Sequence, residues 1–361
     1  MGTGIEGRKG DHLTLCATED VGFRNATTLL EDVRLIHDAL PELSLDEINL
    51  SIRILGKQLR APILIASMTG GTDEAAKVNR ELASIAEERG YGFGLGSQRA
   101  MMKRPESAPS FVVRDVAPTT LVLGNVGGVQ AAKSTTDEIR ALVTHVGADA
   151  LCIHLNPAME VVQPEGDRDF RGVAEAIARL SRELELPVVA KETGCGIGSA
   201  TARKLRAIGV RHVDVSGAGG TSWVGVETKR AAGRDESKRA LGEAFWDWGV
   251  PTAVSTAICA AAGFSTVIAT GGIARGIDVA NAIALGASAA GIARPVLRAL
   301  HEGGRAGAVA FLDGIEAELR TAMLLCGARD VAALQQAPRV IGGQLAVWLR
   351  QSLAGANTTA L

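Results

Sequence analysis

The sequence predicts an α/β fold in which eight parallel strands close into a (β/α)8 TIM barrel with helices outside. Eight short apolar runs alternate along the chain with longer stretches of helical character. The runs are continuously apolar, which is typical of parallel strands buried on both faces. Polar or glycine residues follow every run, as at the carboxyl-terminal mouth of such a barrel. An open doubly wound sheet is the alternative, but no G-x-G-x-x-G motif follows the first run.

We expect a single domain over residues 1–361, with an N-terminal extension at 1–60, the barrel at 61–300 and C-terminal helices at 301–353. The predicted strands are residues 62–66, 91–95, 119–123, 148–153, 187–190, 212–215, 266–269 and 289–292. Predicted helices between them are residues 74–89, 137–146, 169–184, 199–207 and 277–285. We also expect a helix at 29–40, a short strand at 45–50 and two helices within 311–353. The extension should cover the barrel bottom or bring its basic start over the top.

The composition is that of an ordinary globular protein, with 47% hydrophobic and 22% charged residues. The 38 Lys and Arg residues nearly balance 40 Asp and Glu residues, so the chain has no bulk attraction to nucleic acid or an anionic membrane. The five cysteines are widely spaced, which argues against a disulfide framework or a zinc site and favours a reducing compartment. Since residues 1–11 lack an apolar leader, we expect a cytoplasmic protein.

Glycines after the last two predicted strands indicate a phosphate-binding site. Gly271 and Gly272 precede a predicted helix, and Ala293 and Arg294 follow the eighth run. The loops after strands seven and eight are the usual place for a phosphate in this fold. Backbone N–H groups at a helix N-terminus attract an anion, and glycine lets it approach closely. The pattern favours a cofactor phosphate over a purely structural turn.

Lys191 ends the fifth apolar run, and its ammonium group is predicted to point into the barrel mouth. A buried lysine requires an anionic partner. Glu192 is an unsuitable partner, because adjacent residues of a strand point to opposite faces. Two roles remain open for Lys191. It could form a Schiff base with a carbonyl substrate, or it could stabilise negative charge on a reduced flavin.

The segment after the fourth predicted strand carries candidate ligands for a metal ion. It contains His154, Asn156, Glu160, Gln163 and Glu165. One or two carboxylates beside a phosphate suit Mg²⁺, which keeps several waters and takes phosphate oxygens as ligands. The spacing does not suit zinc, since no second His or Cys stands nearby. A solvated acidic loop is the alternative interpretation.

A basic cluster near the start of the chain is the remaining candidate. Arg8, Lys9 and His12 precede every predicted core element, and terminal clusters of this kind are commonly only solvated. Arg99 follows the second predicted strand and therefore lies at the barrel mouth. Together these side chains could clamp a diphosphate.

An ordered set of motifs extends over almost the whole length of the chain. It comprises Arg8-Lys9 with His12, Glu19-Asp20-Val21, Leu35-Ile36-His37, Ala39-Leu40-Pro41-Glu42, Ser67-Met68-Thr69-Gly70-Gly71-Thr72, Gly96-Ser97-Gln98-Arg99, His154-Leu155-Asn156-Pro157, Gln163-Pro164-Glu165-Gly166-Asp167, Ser216 to Trp223, Asp247-Trp248-Gly249 with Pro251-Thr252-Ala253, and Gly271-Gly272-Ile273. The chain resembles the type 2, flavin-dependent isopentenyl-diphosphate Δ-isomerases. Single motifs such as Gly-Gly-Ile occur in many flavin barrels, whereas the ordered set is specific.

The resemblance implies a set of site residues and cofactors. FMN would contact Ser67, Met68, Thr69, Ser97, Asn125, Lys191, Ser216 and Thr221, with its phosphate at Gly271, Gly272, Ala293 and Arg294. The prenyl diphosphate would be held by Arg8, Lys9, His12, Ser97, Gln98, Arg99 and Asn156, and Mg²⁺ by Glu160. Catalysis is assigned to Lys191, His154 and the position of Met159. The family uses reduced FMN, generated by NAD(P)H, without net redox change, and the resemblance implies a homo-oligomer, a tetramer or octamer.

One position close to the chemistry departs from the family pattern. The family has Gln directly before the glutamate that holds Mg²⁺, whereas Met159 stands there in this chain. A methionine neither carries a proton nor donates a hydrogen bond. An alternative function is therefore a paralogue that uses reduced FMN to isomerise or cyclise a longer prenyl diphosphate, since Met159 suits a more apolar pocket. A second alternative is an FMN-dependent oxidoreductase of the 2-hydroxy-acid oxidase type, although residues 216–221 lack the histidine base that it requires.

Overall fold

The computed structural model describes residues 5–353, with side chains described from residue 9 onward, and a closed barrel of eight parallel strands lies at its centre. The barrel strands are β4 to β11, and two short antiparallel pairs lie outside them. In chain order the strands are β1 Val33–Leu35, β2 Ile52–Ile54, β3 Lys57–Leu59, β4 Ile63–Ile65, β5 Gly92–Gly94, β6 Val122–Gly127, β7 Ala150–Leu155, β8 Val188–Glu192, β9 His212–Asp214, β10 Thr266–Thr270, β11 Ala289–Ile292 and β12 Arg339–Ile341.

Helices surround the barrel, and those between β4 and β11 connect its strands. They are α1 Ile5–Thr18, α2 Asp73–Arg89, α3 Arg99–Lys103, α4 Gly128–Lys133, α5 Thr136–His145, α6 Pro157–Val162, α7 Val173–Glu183, α8 Ser199–Ala207, α9 Trp223–Ala231, α10 Glu236–Ala244, α11 Thr252–Ala261, α12 Gly276–Ala284, α13 Arg294–Leu325, α14 Val331–Gln336 and α15 Gly343–Leu353. The long helix α13 is interrupted by a non-helical φ of 59° at Gly304. Across residues 5–353, no helix combines the length and the apolar character needed to cross a lipid bilayer.

The barrel closes where its last strand pairs with its first. Residues Ala290, Gly291 and Ile292 of β11 lie opposite Ile63, Leu64 and Ile65 of β4 in a parallel ladder. Parallel pairs continue around the barrel until β9 meets β10. The predicted (β/α)8 barrel is confirmed, because all eight apolar runs supply strands and their carboxyl ends share one mouth.

The N-terminal extension contributes to both ends of the barrel. The β2–β3 hairpin places Ile54 and Leu59 in an apolar cluster with Leu121, Ala150 and Ala289, residues at the amino-terminal ends of barrel strands. This hairpin therefore closes the bottom. Helix α1 instead packs against α13 and α9 at the opposite end. The two placements considered for the extension are thus both realised, by different segments.

Two predictions inside the extension are wrong. The expected helix at 29–40 is a single 3-10 turn, Leu30–Asp32, followed by β1, which pairs antiparallel with β12. The expected strand at 45–50 begins as another 3-10 turn, Leu45–Glu47, capped by Ser44 and Glu47. In the first case, pairing with a strand about 300 residues away overrides local helical spacing.

The tail and the third strand also differ from expectation. Residues 311–353 hold the end of α13, then α14, β12 and α15, where two helices were expected. The third barrel strand begins at Val122 and continues to Gly127, although the apolar run was placed at 119–123. It continues through polar Asn125 because its ladder with β7 extends to the Gly127–His154 pair. The segment after β7 is likewise not a plain loop, since α6 begins at Pro157, a favourable first helical residue.

Two helical glycines provide a test of the packing between α12 and α13. A Cβ on Gly276 would lie 2.2 Å from the backbone oxygen of Ile315, whereas a Cβ on Gly314 would meet nothing within 4 Å. We expect Gly276→Ala to lower the free energy of unfolding by roughly 1–3 kcal/mol through overpacking. Gly314→Ala should raise it by about 0.5–1 kcal/mol, because alanine loses less backbone entropy in a helix. Urea unfolding measures both, and equal stability of the two variants would contradict this packing.

Candidate active site

A cavity of about 530 Å³ opens at the carboxyl-terminal mouth of the barrel. This is within the size range of small-molecule and cofactor sites, roughly 300–1,000 Å³. It is lined by nearly all of the predicted site residues, namely Lys9, His12, Ser67, Met68, Thr69, Ser97, Arg99, Asn125, His154, Asn156, Met159, Glu160, Lys191, Ser216, Thr221, Gly271, Gly272, Ala293 and Arg294. One cavity therefore brings together residues that are spread from Lys9 to Arg298 along the chain.

Among the described side chains, one predicted site residue does not line this cavity, and one further predicted residue lies outside that part of the chain. The side chain of Arg8 lies outside the described residues. Gln98 is fully buried away from the cavity, and its Oε1 accepts a hydrogen bond of 2.9 Å from the backbone N–H of Asn125. Gln98 thus holds β6 in position, which differs from the direct substrate contact that the resemblance implies.

The predicted phosphate cradle is built from closely packed glycine backbones. Gly271 and Gly272 have φ angles of 97° and 74°, a region that favours glycine. A Cβ on Gly220 would lie 2.3 Å from the backbone nitrogen of Gly272, so the loops after β9 and β10 touch backbone to backbone. Helix α13 begins beside them, directly after Ala293. Backbone N–H groups at this helix terminus suit an anion.

Arg294 lines the cavity and also donates hydrogen bonds to backbone carbonyls at the C-terminal end of α1. Its Nε donates to the carbonyl oxygen of Cys16 at 3.2 Å and its Nη2 to that of Glu19 at 2.8 Å. Arg298 donates to the same Glu19 carbonyl at 2.8 Å. Burial lowers the pKa of Arg294 below its ordinary value. These bonds attach α1 to the rim of the barrel, so α1 becomes part of the cavity wall.

Lys191 is held by an ion pair across the barrel ladder. Its Nζ lies 2.8 Å from Oδ2 of Asp214, the residue opposite it on β9. Thr270 on β10 donates to the other carboxylate oxygen and lies 3.4 Å from Nζ. Both charged side chains are buried, at 7% and 5% exposure. A Schiff base requires a neutral amine, so this ion pair favours the role of a fixed cation over that of a nucleophile.

Glu192 does not pair with Lys191, as the sequence predicts. Its buried carboxylate accepts backbone N–H bonds from Thr193 at 2.6 Å, from Cys195 and from Gly196 at 3.0 Å. Burial raises the pKa of Glu192 to about 7, against these bonds, which lower it. The side chain fixes the loop after β8, whose Thr193 and Gly194 line the cavity.

His154 has one ring nitrogen fixed by Asn125. The distance from His154 Nδ1 to Asn125 Oδ1 is 2.9 Å, and Asn125 Nδ2 donates to the carbonyl oxygen of Leu95 at 3.0 Å. Because that donation orients the amide, its oxygen faces the imidazole. Nδ1 therefore carries the proton, and a neutral His154 keeps Nε2 as an acceptor.

Helix α6 presents Glu160 to the cavity. Oε1 accepts from Asn156 Nδ2 at 3.0 Å, and Oε2 accepts from the backbone N–H of Asp167 at 2.7 Å. Met159 lines the cavity beside it, with its sulfur 3.7 Å from the same Asn156 nitrogen. The carboxylate is thus oriented, and each oxygen keeps a further lone pair.

Helix α1 presents His12 and buries Lys9. His12 Nε2 lies 2.7 Å from Oε1 of Glu227, and its ring packs edge-on to Trp223 with centroids 5.2 Å apart. Arg230 donates to the other Glu227 oxygen at 2.5 Å. Burial lowers the pKa of His12, although the bond to Glu227 opposes this shift. These contacts anchor the basic start of α1 over the mouth.

Arg99, the first residue of α3, also lines the cavity. Its Nη1 lies 3.4 Å from Oδ2 of Asp167, a carboxylate that also accepts from Gln130 at 2.9 Å. Arg99 Nε is buried and has no partner among the described side chains and backbone. Arg99 therefore retains a hydrogen-bond donor for an anionic ligand.

The residues present fit both FMN and Mg²⁺. A glycine cradle that any Cβ would fill, a helix N-terminus and the buried Thr69 hydroxyl, which has no hydrogen-bond partner among the described residues, suit a phosphate and a polar ring system. Within residues 9–353, no three His, Cys, Asp or Glu side chains converge on one point. Glu160 alone fits Mg²⁺ only as an ion that retains waters and takes ligand oxygens.

Sequence reasoning missed Asp214, Thr270 and Glu227, which hold the predicted site residues. Asp214 is a single acid in the apolar run from 212 to 215, and that exception to an apolar pattern is a usable signal. Glu227 stands in a helix 215 positions from His12, and nothing in the local sequence connects the two.

Comparison with known proteins agrees with this geometry. Residues 121–340 match the family described as FMN-dependent dehydrogenase. The chain is 44% identical over 354 residues to the isopentenyl-diphosphate delta-isomerase of Pyrococcus abyssi, covering 96% of this chain and 95% of that protein. It is 47% identical over 346 residues to that of Methanosarcina barkeri, covering 95% and 94%. The chain belongs to the isopentenyl-diphosphate delta-isomerase family. This membership confirms the resemblance and places the isomerase barrel among the FMN-dependent dehydrogenases.

Solved structures show the same fold at greater sequence distance. A mandelate oxidase variant with a monooxide FMN adduct superposes with a TM-score of 0.63 at 19% identity, covering 91% of this chain and 95% of that one. A second mandelate oxidase structure, with (S)-mandelic acid, gives 0.63 at 20% identity, covering 94% and 97%. The barrel architecture is therefore shared between this isomerase family and the oxidase.

The ion pair beneath the cavity provides a stability test. Asp214→Asn leaves the Lys191 ammonium buried without a carboxylate and should lower the free energy of unfolding by about 3–5 kcal/mol. Replacing both partners by apolar residues, Lys191→Met with Asp214→Leu, should recover most of that loss. Urea unfolding measures all three proteins. A single Asp214→Asn variant as stable as the wild type would show that Lys191 does not depend on Asp214.

Proposed function

We propose that this protein converts isopentenyl diphosphate to dimethylallyl diphosphate with reduced FMN and Mg²⁺, without net redox change. Its relatives of that name support this, since they match over nearly the whole length of both chains. The observation that carries the proposal is the cavity at the barrel mouth, which combines a phosphate cradle, an oriented carboxylate and a cationic wall of Lys9, Arg99 and Arg294. A prenyl diphosphate and the phosphate group of FMN both require a site that binds anions.

FMN would lie against Ser67, Thr69, Ser97, Ser216 and Thr221, with its phosphate at the glycine cradle and the start of α13. Reduced FMN, when bound, supplies acid–base chemistry at the substrate double bond and negative charge beside the cationic transition state. Lys191 supplies a fixed positive charge, held by Asp214, against a ligand atom that carries negative charge. The buried pair is already arranged before any ligand binds, so it needs no reorganisation.

The isomerisation adds a proton to the C3=C4 double bond and removes one from C2. His154 lines the cavity with Nδ1 fixed by Asn125, so it can hold a proton at a defined nitrogen. Glu160 would hold Mg²⁺ through oxygens oriented by Asn156 and Asp167. Lys9 and Arg99 would neutralise the diphosphate charge, with His12 beside them, and the enclosed position of these side chains strengthens each contact. We infer NAD(P)H as the reductant of the flavin.

Met159 supports a second candidate function. Its thioether lines the cavity between Asn156 and Glu160 and adds apolar surface next to the polar groups. A longer prenyl diphosphate would gain from that surface. The 2-hydroxy-acid oxidase alternative is less favoured, because residues 216–221 contain no histidine to act as its base.

Location and assembly are part of the same proposal. All five cysteines are free, which agrees with a reducing cytoplasm. We infer a homo-oligomer, a tetramer or octamer, on the resemblance to the family alone, and size-exclusion chromatography with light scattering tests it. No nucleic acid or membrane is a partner in this proposal.

Product identification tests the proposed function. The FMN-loaded full chain, reduced under anaerobic conditions with Mg²⁺, is incubated separately with isopentenyl diphosphate and with geranyl diphosphate. We expect dimethylallyl diphosphate from the first and no conversion of the second. Conversion of geranyl diphosphate alone would establish the longer-chain alternative. Failure to bind FMN on titration would refute the cofactor assignment.

Met159 provides the sharpest test of the acid–base step. If an amide at this position relays a proton, the wild type is a slow isomerase and Met159→Gln should be faster. A positioned acid–base group contributes roughly 10²- to 10⁴-fold to a rate. Single-turnover rates with reduced FMN measure the change, with Met159→Leu as the apolar control. An ordinary wild-type rate that Met159→Gln leaves unchanged would show that no amide is needed here.

A further inference from the structure

Two glutamines in this protein are fully buried, and only one of them has its amide satisfied. Gln98 and Gln163 are both 0% exposed. Gln98 Oε1 accepts from Asn125 at 2.9 Å, and its Nε2 lies 3.8 Å from the sulfur of Met101. Gln163 has no hydrogen-bond partner within the described chain, at either Oε1 or Nε2. Gln163 lines the cavity, whereas Gln98 does not.

An unsatisfied buried amide is a cost to the free protein. Both polar atoms have lost water without gaining a partner, and the long side chain has also lost rotamer freedom. A methionine would fill nearly the same volume without the desolvation cost, because it has no amide group to leave unpaired. A buried polar group without a partner in the protein requires one from elsewhere. For Gln163, the adjoining cavity is the place from which that partner can come.

The position of Gln163 indicates which part of a ligand it would meet. It follows α6 directly, and its backbone N–H bonds to the carbonyl of Met159 at 2.9 Å. Residues three and four positions apart on a helix are neighbours, so Gln163 lies beside Glu160 and Met159. All three line the cavity. Among these three side chains, only Gln163 has an N–H group to donate.

We propose that Gln163 is a substrate-contact residue that binds the metal-bound diphosphate head. A rotation of its side chain toward the cavity lets Nε2 donate to a phosphate oxygen and Oε1 accept from a water on the cation that Glu160 would hold. A hydrated Mg²⁺–diphosphate carries phosphate oxygens that accept hydrogen bonds and metal-bound waters that donate them. It can therefore satisfy both the N–H and the carbonyl group of the Gln163 amide. A hydrocarbon chain can satisfy neither. This inference rests on the proposed function, since it assigns one more residue to the same diphosphate site.

The test compares Gln163→Met with Gln98→Met in the FMN-loaded full chain. Two quantities are measured: the melting temperature without substrate, and the dissociation constant of inorganic diphosphate with Mg²⁺ by calorimetry. Gln163→Met should keep or raise the melting temperature and weaken diphosphate binding roughly 10- to 100-fold, the size expected for lost bonds to a charged group. Gln98→Met should lower the melting temperature, because its satisfied amide is removed. Gln163→Asn, with a shorter amide, should lie between wild type and Gln163→Met in affinity.

The remaining outcomes each decide the question. A lower melting temperature for Gln163→Met together with unchanged diphosphate affinity would make the amide structural and overturn the inference. If the wild type binds and converts isopentenyl diphosphate while Gln163→Met binds it equally tightly, only the inference fails. If the wild type itself binds neither Mg²⁺–diphosphate nor isopentenyl diphosphate, the proposed function fails and the inference fails with it.

Discussion

The pairing of β11 with β4 closes the eight-stranded ladder, and the positions of the site side chains that the barrel carries follow from that closure. Parallel strands all end on the same side, so their carboxyl ends form one mouth. Closure also leaves no edge strand with unpaired backbone groups. It brings the loop from Ser67 to Thr72 next to Ala293 and Arg294, which are more than 200 residues away in sequence. The cavity is the space enclosed by these converging loops.

The fold also places buried basic and acidic side chains of the barrel mouth next to each other, so that their charges compensate. Lys191 and Asp214 are opposite each other in the ladder between β8 and β9, so register alone sets their approach. His12, Glu227 and Arg230 form a second buried group in which the carboxylate is shared by two partners. A buried charge without a partner would strongly destabilise the fold, so each charged side chain here needs a partner of opposite charge. The site therefore holds oriented charges that a ligand finds already in place.

The part of the site outside the barrel depends on different contacts. Helix α1 is attached through its C-terminal carbonyls, which accept from Arg294 and Arg298. Positive charge is favourable at that end of a helix. A small apolar cluster that includes Leu13, Val21 and Leu297 completes the attachment. The basic side chains that α1 carries, Lys9 and His12, consequently reach the cavity only when α1 lies on the finished barrel.

The local sequence determined the barrel strands and most of the cavity lining. Apolar runs identify strands buried on both faces, and the residues that follow each run must lie at the mouth, as Asn156, Ser216 and Gly271 do. The ordered motifs determined the family. Both kinds of signal are read along the chain, because strand burial and turn chemistry depend on neighbouring residues.

Only the tertiary structure decided which groups meet across long separations. It paired β1 with β12, gave Lys191 its partner Asp214, joined His12 to Glu227, and turned Gln98 away from the cavity toward Asn125. Each of these depends on barrel register and closure, which no short stretch of sequence encodes. The type of a buried charged residue predicts that it needs a partner. Which residue becomes that partner depends on where the fold places the two side chains.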